Sequence, residues 1–188
     1  MSLANSLSTT DRIKELLPEL FNERQRQGDY YLRFQLTDEI ETLLSLSYVR
    51  ESGTVDSSQI TAVPNLPEYV VGLMSSRNEV FMAVDLAHLI GLLPQTLNQR
   101  QYQTIIVQVD SGKRGQSNET ILYGMTVKRI LGISRVLPQQ FESEAANTPE
   151  ILSSFVLGAI AESQDNLATA KHSFLLDLAQ ILAVKVKS

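Results

Sequence analysis

The spacing of apolar residues changes period early in the chain. Ile13, Leu16, Leu17, Leu20 and Phe21 fall at i, i+3, i+4, i+7 and i+8, which predicts an amphipathic helix. Thr10 or Asp11 is placed to cap it, and Glu23, Arg24 and Arg26 keep its far side wet. Pro18 lies inside the pattern and removes a backbone donor, so a kink is expected there, or a helix that begins near it. Gly28 suits a left-handed stop. From Tyr30 the period becomes two. Leu32, Phe34 and Leu36 alternate with Arg33, Gln35 and Thr37, predicting a half-buried strand. Leu44, Leu46 and Tyr48 alternate in the same way and predict one strand over Leu44–Arg50. Val80–Val84 is continuously apolar, as in a strand covered on both faces. Further strands are predicted around Ile105–Val109, Ile121–Val127, Phe155–Ala161 and His172–Leu176. Many short strands with few helices between them point to a barrel or sandwich.

Part of this pattern occurs twice. Asn65-Leu66-Pro67-Glu68 returns as Asn147-Thr148-Pro149-Glu150, and each is followed by a glycine within an apolar strand, Gly72 and Gly158. A polar turn, a second strand and the string Asp-Leu-Ala come next, at Asp85-Leu86-Ala87 and Asp177-Leu178-Ala179. Each Asp is placed to cap a short helix directly after a strand, with Leu89-Ile90 and Ile181-Leu182 pinning that helix to the sheet. An echo at about 80–90 residues fits two similar lobes better than a many-unit solenoid.

Composition narrows the classes of function. The chain has 188 residues, 43% of them hydrophobic and 20% charged, which suits one compact unit with a real core. Sixteen Lys and Arg against twenty-one Asp and Glu leave a net charge of −5. That is no basis for a cationic nucleic-acid surface, so nucleic acid is not expected as a partner. Cysteine is absent, which excludes disulfides, thiolate metal sites and a cysteine nucleophile. The longest apolar run, Phe155–Ala161, is seven residues, against the ~20 needed to cross a bilayer. The opening residues show no secretory pattern, and a cytoplasmic protein with no direct membrane insertion is the expectation.

Candidate chemistry is sparse. His88 and His172 stand without a second histidine or carboxylate at metal-ligand spacing. No Gly-x-Ser-x-Gly elbow is present, and Gly112-Lys113 lacks the rest of a phosphate loop. The expectation is therefore no enzyme, no metal and no cofactor. One pair of charges stands out: Arg77 in the turn Ser75-Ser76-Arg77-Asn78, and Glu51 after the predicted strand Leu44–Arg50. If those strands are neighbours, a fork-type contact between Arg77 and Glu51 is expected at the sheet end. Two separately solvated charges are the plainer alternative.

The stretch Val63-Pro64-Asn65-Leu66-Pro67-Glu68-Tyr69-Val70-Val71-Gly72-Leu73-Met74, continuing through Ser75-Ser76-Arg77-Asn78-Glu79-Val80 to Ala83-Val84-Asp85-Leu86, resembles the core signature of CheW-like domains. That signature is a proline-bearing loop, an apolar strand with Gly, an Asn-Leu-Arg-Gly turn, a strand, and Val-Asp-Leu. The similarity can be followed from about Tyr30 to Leu182. It implies an all-β fold with short helices, two SH3-like five-stranded β-barrel lobes around a shared core, over residues 29–188. Residues 1–28 would be an N-terminal extension carrying the amphipathic helix, similar to that of the pilus-motility branch of twitching and phototaxis adaptors.

The resemblance also implies a function. CheW-like domains are non-catalytic adaptors that couple the cytoplasmic tip of methyl-accepting chemoreceptors to the regulatory domain of a CheA-type histidine kinase. Carried over by motif, Val49, Glu51, Gly72 and Arg77 become the partner-binding positions, with Glu51 and Arg77 as a pair shaping the docking face. Gly72 would let a partner backbone approach closely. Departures are visible as well. Asn78 replaces the turn glycine and Ser75-Ser76 replaces Asn-Leu. Val127-Lys128-Arg129 puts two positive charges at a bend, and the loop Ser52–Gln59 looks longer than usual. A variant that modulates the kinase without binding receptor is the alternative within the family. Outside it stand a small-molecule-binding β-barrel and a cryptic hydrolase.

Overall fold

The computed structural model describes residues 28–95, 99–110, 120–142, 148–162 and 171–184. The helix predicted over Ile13–Phe21 lies outside the described residues. Among the described residues ten strands run in chain order: β1 (Asp29–Gln35), β2 (Glu41–Ser45), β3 (Val49–Asp56), β4 (Val70–Ser76), β5 (Glu79–Asp85), β6 (Gln101–Asp110), β7 (Thr120–Val127), β8 (Arg129–Val136), β9 (Val156–Glu162) and β10 (Lys171–Leu176). Short helices α1 (Leu86–Leu89) and α2 (Leu178–Leu182) follow β5 and β10. The strands form two five-stranded sheets, ordered β8-β1-β2-β10-β9 and β3-β6-β7-β5-β4. Lobe B (β3–β7) is continuous in sequence. Lobe A is assembled from both flanks of it, joined by the parallel pairing of β2 with β10.

The two sheets share one register. Across lobe A a single rung runs Ile130, Phe34, Thr42, Phe174, Ala159. Across lobe B the matching rung runs Val49, Val107, Tyr123, Met82, Leu73. Bulges fall at matching places beside these rungs. Arg50 and Leu131 are the extra residues in the outer strands β3 and β8, and Val71 and Leu157 those in β4 and β9. Even the isolated bridges beyond the rungs match, Thr61 to Leu73 and Glu142 to Ala159. The sequence echo is thus a structural duplication.

The repeated Asp-Leu-Ala strings act as their chemistry predicts. Asp85 Oδ1 accepts the His88 amide at 3.1 Å, and Asp177 Oδ1 accepts those of Ala179 and Gln180 at 2.9 and 3.2 Å. Leu86, Ile90, Leu178 and Ile181 are buried in the core the lobes share. That core draws Leu32, Phe34 and Leu44 from one sheet and Ile105, Val107 and Met125 from the other. Each sheet also buries its opposite face. Lobe B does so with Met74, Phe81, Ala83, Ile106 and Leu122, and lobe A with Tyr31, Leu43 and Val136.

Several sequence expectations change in detail. The strand predicted over Leu44–Arg50 is two strands: β2 ends at Ser45, a 3-10 turn spans Leu46–Tyr48, and β3 begins at Val49. Ser45 causes the break, its Oγ accepting the Ser47 amide at 3.4 Å in place of a ladder bond. The supposed long loop Ser52–Gln59 is the rest of β3 and a 3-10 turn at Ser57–Gln59. Strand β8 was not anticipated, because its burial follows no clean alternation around the Leu131 bulge. Strand β1 is covered on both faces, not half-buried. Its Arg33 meets Glu41, whose side chain is 4% exposed; Arg33 Nε donates to Oε1 at 2.8 Å, and Ser173 Oγ donates to the same oxygen at 3.1 Å.

Candidate functional site

Sheet order puts β3 and β4 at opposite ends of lobe B, yet the two ends meet. Ser76 Oγ donates to Glu51 Oε2 at 3.1 Å, and Arg50 pairs with Glu79 at 2.5 Å. The start of β3 and the tip of the β4–β5 hairpin therefore form one corner. The bulge at Arg50 prepares it. In a regular strand Val49 and Glu51 would point the same way. With one extra residue between their β6 partners, Val49 packs against the shared core while Glu51 is exposed.

The hairpin tip is a two-residue turn with Arg77 at φ 48° and Asn78 at φ 69°. Positive φ at both central positions is the type I′ arrangement, whose twist matches that of the flanking strands. Asn78 occupies the left-handed region readily, so replacing glycine there leaves the turn intact. Arg77 accepts the same conformation at the outermost point of the lobe. It is exposed, and it forms no ion pair among the described residues.

Glu51 and the Arg77 turn thus belong to one corner, with Val49 next to them packed inward against the shared core, and the Arg77–Glu51 fork is not formed. The hydroxyl of Ser76 takes the Glu51 carboxylate instead, a partner that the residue pattern did not suggest. Gly72 is placed differently. It is buried at φ 152°, and a Cβ there would sit 2.5 Å from the Thr61 carbonyl oxygen. The close backbone approach that requires glycine is made by this chain's own bridge, Thr61 N to Leu73 O and Leu73 N to Thr61 O, both at 2.8 Å. Of the two charges at the Val127–Arg129 bend, Lys128 pairs with Asp38 at 2.5 Å and Arg129 is exposed.

The lobe interiors are filled by side chains. An open groove of about 770 Å³ lies where the lobes meet, lined in part by Tyr48, Asp110, Ile121, Tyr123, Leu178 and Leu182. Among the described residues no three His, Asp or Glu side chains gather as metal ligands, and no helix is long and apolar enough to cross a membrane.

The family model of the CheW-like domain matches residues 30–185. The chain belongs to the CheW-like domain family. Among solved structures it is similar to the scaffolding protein TtCheW from Thermoanaerobacter tengcongensis, at 21% identity and a TM-score of 0.59 over 86% of this chain and 97% of that one. At that identity the likeness establishes the fold. A search of curated proteins returns no match. Within this CheW-like domain, the duplicated register and the Glu51–Arg77 corner are built as described above.

Proposed function

We propose that this CheW-like protein is a non-catalytic adaptor that couples the cytoplasmic tip of a chemoreceptor to the regulatory domain of a CheA-type histidine kinase. It acts in a chemotaxis, twitching or phototaxis pathway. The corner of Val49, Glu51, Ser76 and Arg77 is the kinase-docking face, with residues 29–188 as the adaptor domain and residues 1–28 as an extension. The protein works in the cytoplasm, recruited to receptor arrays.

One observation supports this reading most: a cation without an ion-pair partner among the described residues is exposed at the tip of a tight turn, next to an oriented carboxylate. A tight turn and a hydrogen-bonded carboxylate have less freedom to lose on contact than a loose loop. Docking faces of this kind cover of order 800 Å² per partner, with charged groups steering encounter at the rim. Isothermal titration of the kinase regulatory domain tests the reading. Arg77→Glu, with its fold verified by circular dichroism, is expected to weaken binding at least about tenfold, the free-energy scale of a central charged contact. Unchanged affinity would contradict it.

A further inference from the structure

The β4–β5 hairpin reaches beyond the sheet that carries it. β5 pairs with β7 over Met82–Asp85, while its pairing with β4 continues outward to the rung of Ser76 and Glu79. The end of the hairpin is therefore a two-stranded ribbon with Arg77 and Asn78 at its tip. Such ribbons are marginal without further support. Two side chains of β3 supply it. Glu51 accepts the Ser76 hydroxyl at 3.1 Å, and Arg50 pairs with Glu79 at 2.5 Å. Ser76 and Glu79 face each other across the last rung, so each leg of the ribbon carries one bond. Successive residues of a regular strand point to opposite faces; the bulge at Arg50 is what brings both side chains to the same rung.

We infer that Arg50 and Glu79 are positioning residues for Arg77, the second strut of a two-point latch that sets the attitude of the tip toward the kinase. This rests on the docking proposed for the corner. One bond to one leg leaves a ribbon free to twist about it, whereas a bond on each leg fixes both its place and its twist. Arg77 follows Ser76 and Asn78 precedes Glu79, so each tip residue is next to an anchor. The fold does not require the latch. In lobe A the matching positions of β8 hold Leu131 and Gly132, which have no side-chain group for either bond. With side chains 25% and 47% exposed, the Arg50–Glu79 pair is also too solvated to add much global stability. Its effect is local: a tip held in place loses less freedom when a partner meets it. Arg50 and Glu79 then govern affinity without touching the partner.

The test uses the full-length protein with Arg50→Met, with Glu79→Gln, and with the swap of Arg50→Glu and Glu79→Arg, each verified as folded by circular dichroism. In the free protein, backbone amide relaxation by NMR reads the tip directly. Order parameters at Arg77 and Asn78, ~0.85 where backbone is rigid, are expected to fall by at least about 0.1 in each single variant and to recover in the swap. In titration of the kinase regulatory domain, each single variant is expected to bind about threefold more weakly and the swap to return within about twofold of the unaltered protein. In an Arg77→Ala background, Arg50→Met is expected to add no further loss, because its effect passes through Arg77. Tip amides unmoved by both single variants would overturn the inference, whatever the kinase does. So would unchanged affinity while the tip loosens. Weakened binding with no recovery in the swap would overturn it as well, by showing that the two side chains meet the kinase themselves, and would leave the docking reading standing. No binding by the unaltered protein would contradict the docking reading and with it the latch's part in recognition, while the relaxation data would still decide whether the latch holds the tip.

Discussion

Ser76 donates its hydroxyl to Glu51 Oε2 at 3.1 Å, and this bond joins the two outermost strands of lobe B into one corner. The carboxylate is thereby oriented along the hairpin tip while Arg77 projects from it. The serine and the arginine are neighbours in sequence in different settings: one holds the acid, and the other stands exposed at the tip.

Reversing both charges of the corner should therefore restore nothing. If Glu51 and Arg77 formed a direct pair, Glu51→Arg together with Arg77→Glu would recover the kinase binding that each single change weakens. With Ser76 as the true partner, the double variant is expected to bind no better than the weaker of the two single variants in titration calorimetry. Recovery in the double variant would show that the two side chains pair in the bound state.

The ionic group of lobe A has an apolar counterpart in lobe B. By the shared register, Arg33, Glu41 and Ser173 correspond to Ile106, Leu122 and Phe81. Arg33→Ile alone removes the cation facing a carboxylate buried in the sheet and is expected to cost about 3–5 kcal/mol in urea unfolding. Arg33→Ile, Glu41→Leu and Ser173→Phe together copy a packing the fold already uses, and should be neutral or stabilising by about 1–4 kcal/mol. A triple variant less stable than the single one would contradict this.

Gly72 and Gly158 occupy matching positions with unequal demands. A Cβ at Gly72 meets the Thr61 oxygen at 2.5 Å on a backbone of φ 152°, whereas at Gly158 the nearest atom, the Glu142 oxygen, is 3.1 Å away. Gly72→Ala is expected to cost about 1–3 kcal/mol, from clash and backbone strain together, and Gly158→Ala clearly less. Equal losses of thermal stability would show that the two bridges are not equally rigid.

Tyr31 sets an alkaline limit. Burial, and then the nearby charge of Asp29, raise its phenol above the ordinary value of 10.0, and its ring packs edge-on against Phe141 with centroids 5.4 Å apart. Above pH 10 the unfolded chain gives up this proton more readily than the folded one. Tyr31's share of stability is thus complete below pH 10 and lost as pH rises through the higher folded value. Tyr31→Phe should flatten the decline in stability above pH 10 and change little at neutral pH. An unchanged alkaline slope would contradict this origin.

The fold was legible where a residue's chemistry acts locally. Asp85 and Asp177 cap the helices expected of them, and the repeated strings around them mark a true duplication. Legibility failed where a partner comes from far along the chain. Arg33 reads as an outward polar position because the acid opposite it lies on β2 and the serine completing the group on β10. The bulges at Arg50 and Leu131 shift the phase of β3 and β8 with no residue type that announces them. At the candidate site, position was legible and pairing was not: Glu51 and Arg77 share a corner, but Ser76 reads simply as a turn residue. Gly72 reads as a place for a partner's backbone, whereas the backbone that approaches it in the fold is the chain's own, at Thr61.

Amide hydrogen exchange of the full-length protein with and without the kinase regulatory domain tests the proposed docking face most directly. The account predicts slowed exchange in residues 49–54 and 73–80, the two segments of the corner, with little change at the groove beside Leu178 and Leu182. Protection confined to that groove, with the corner exchanging as in the free protein, would contradict it.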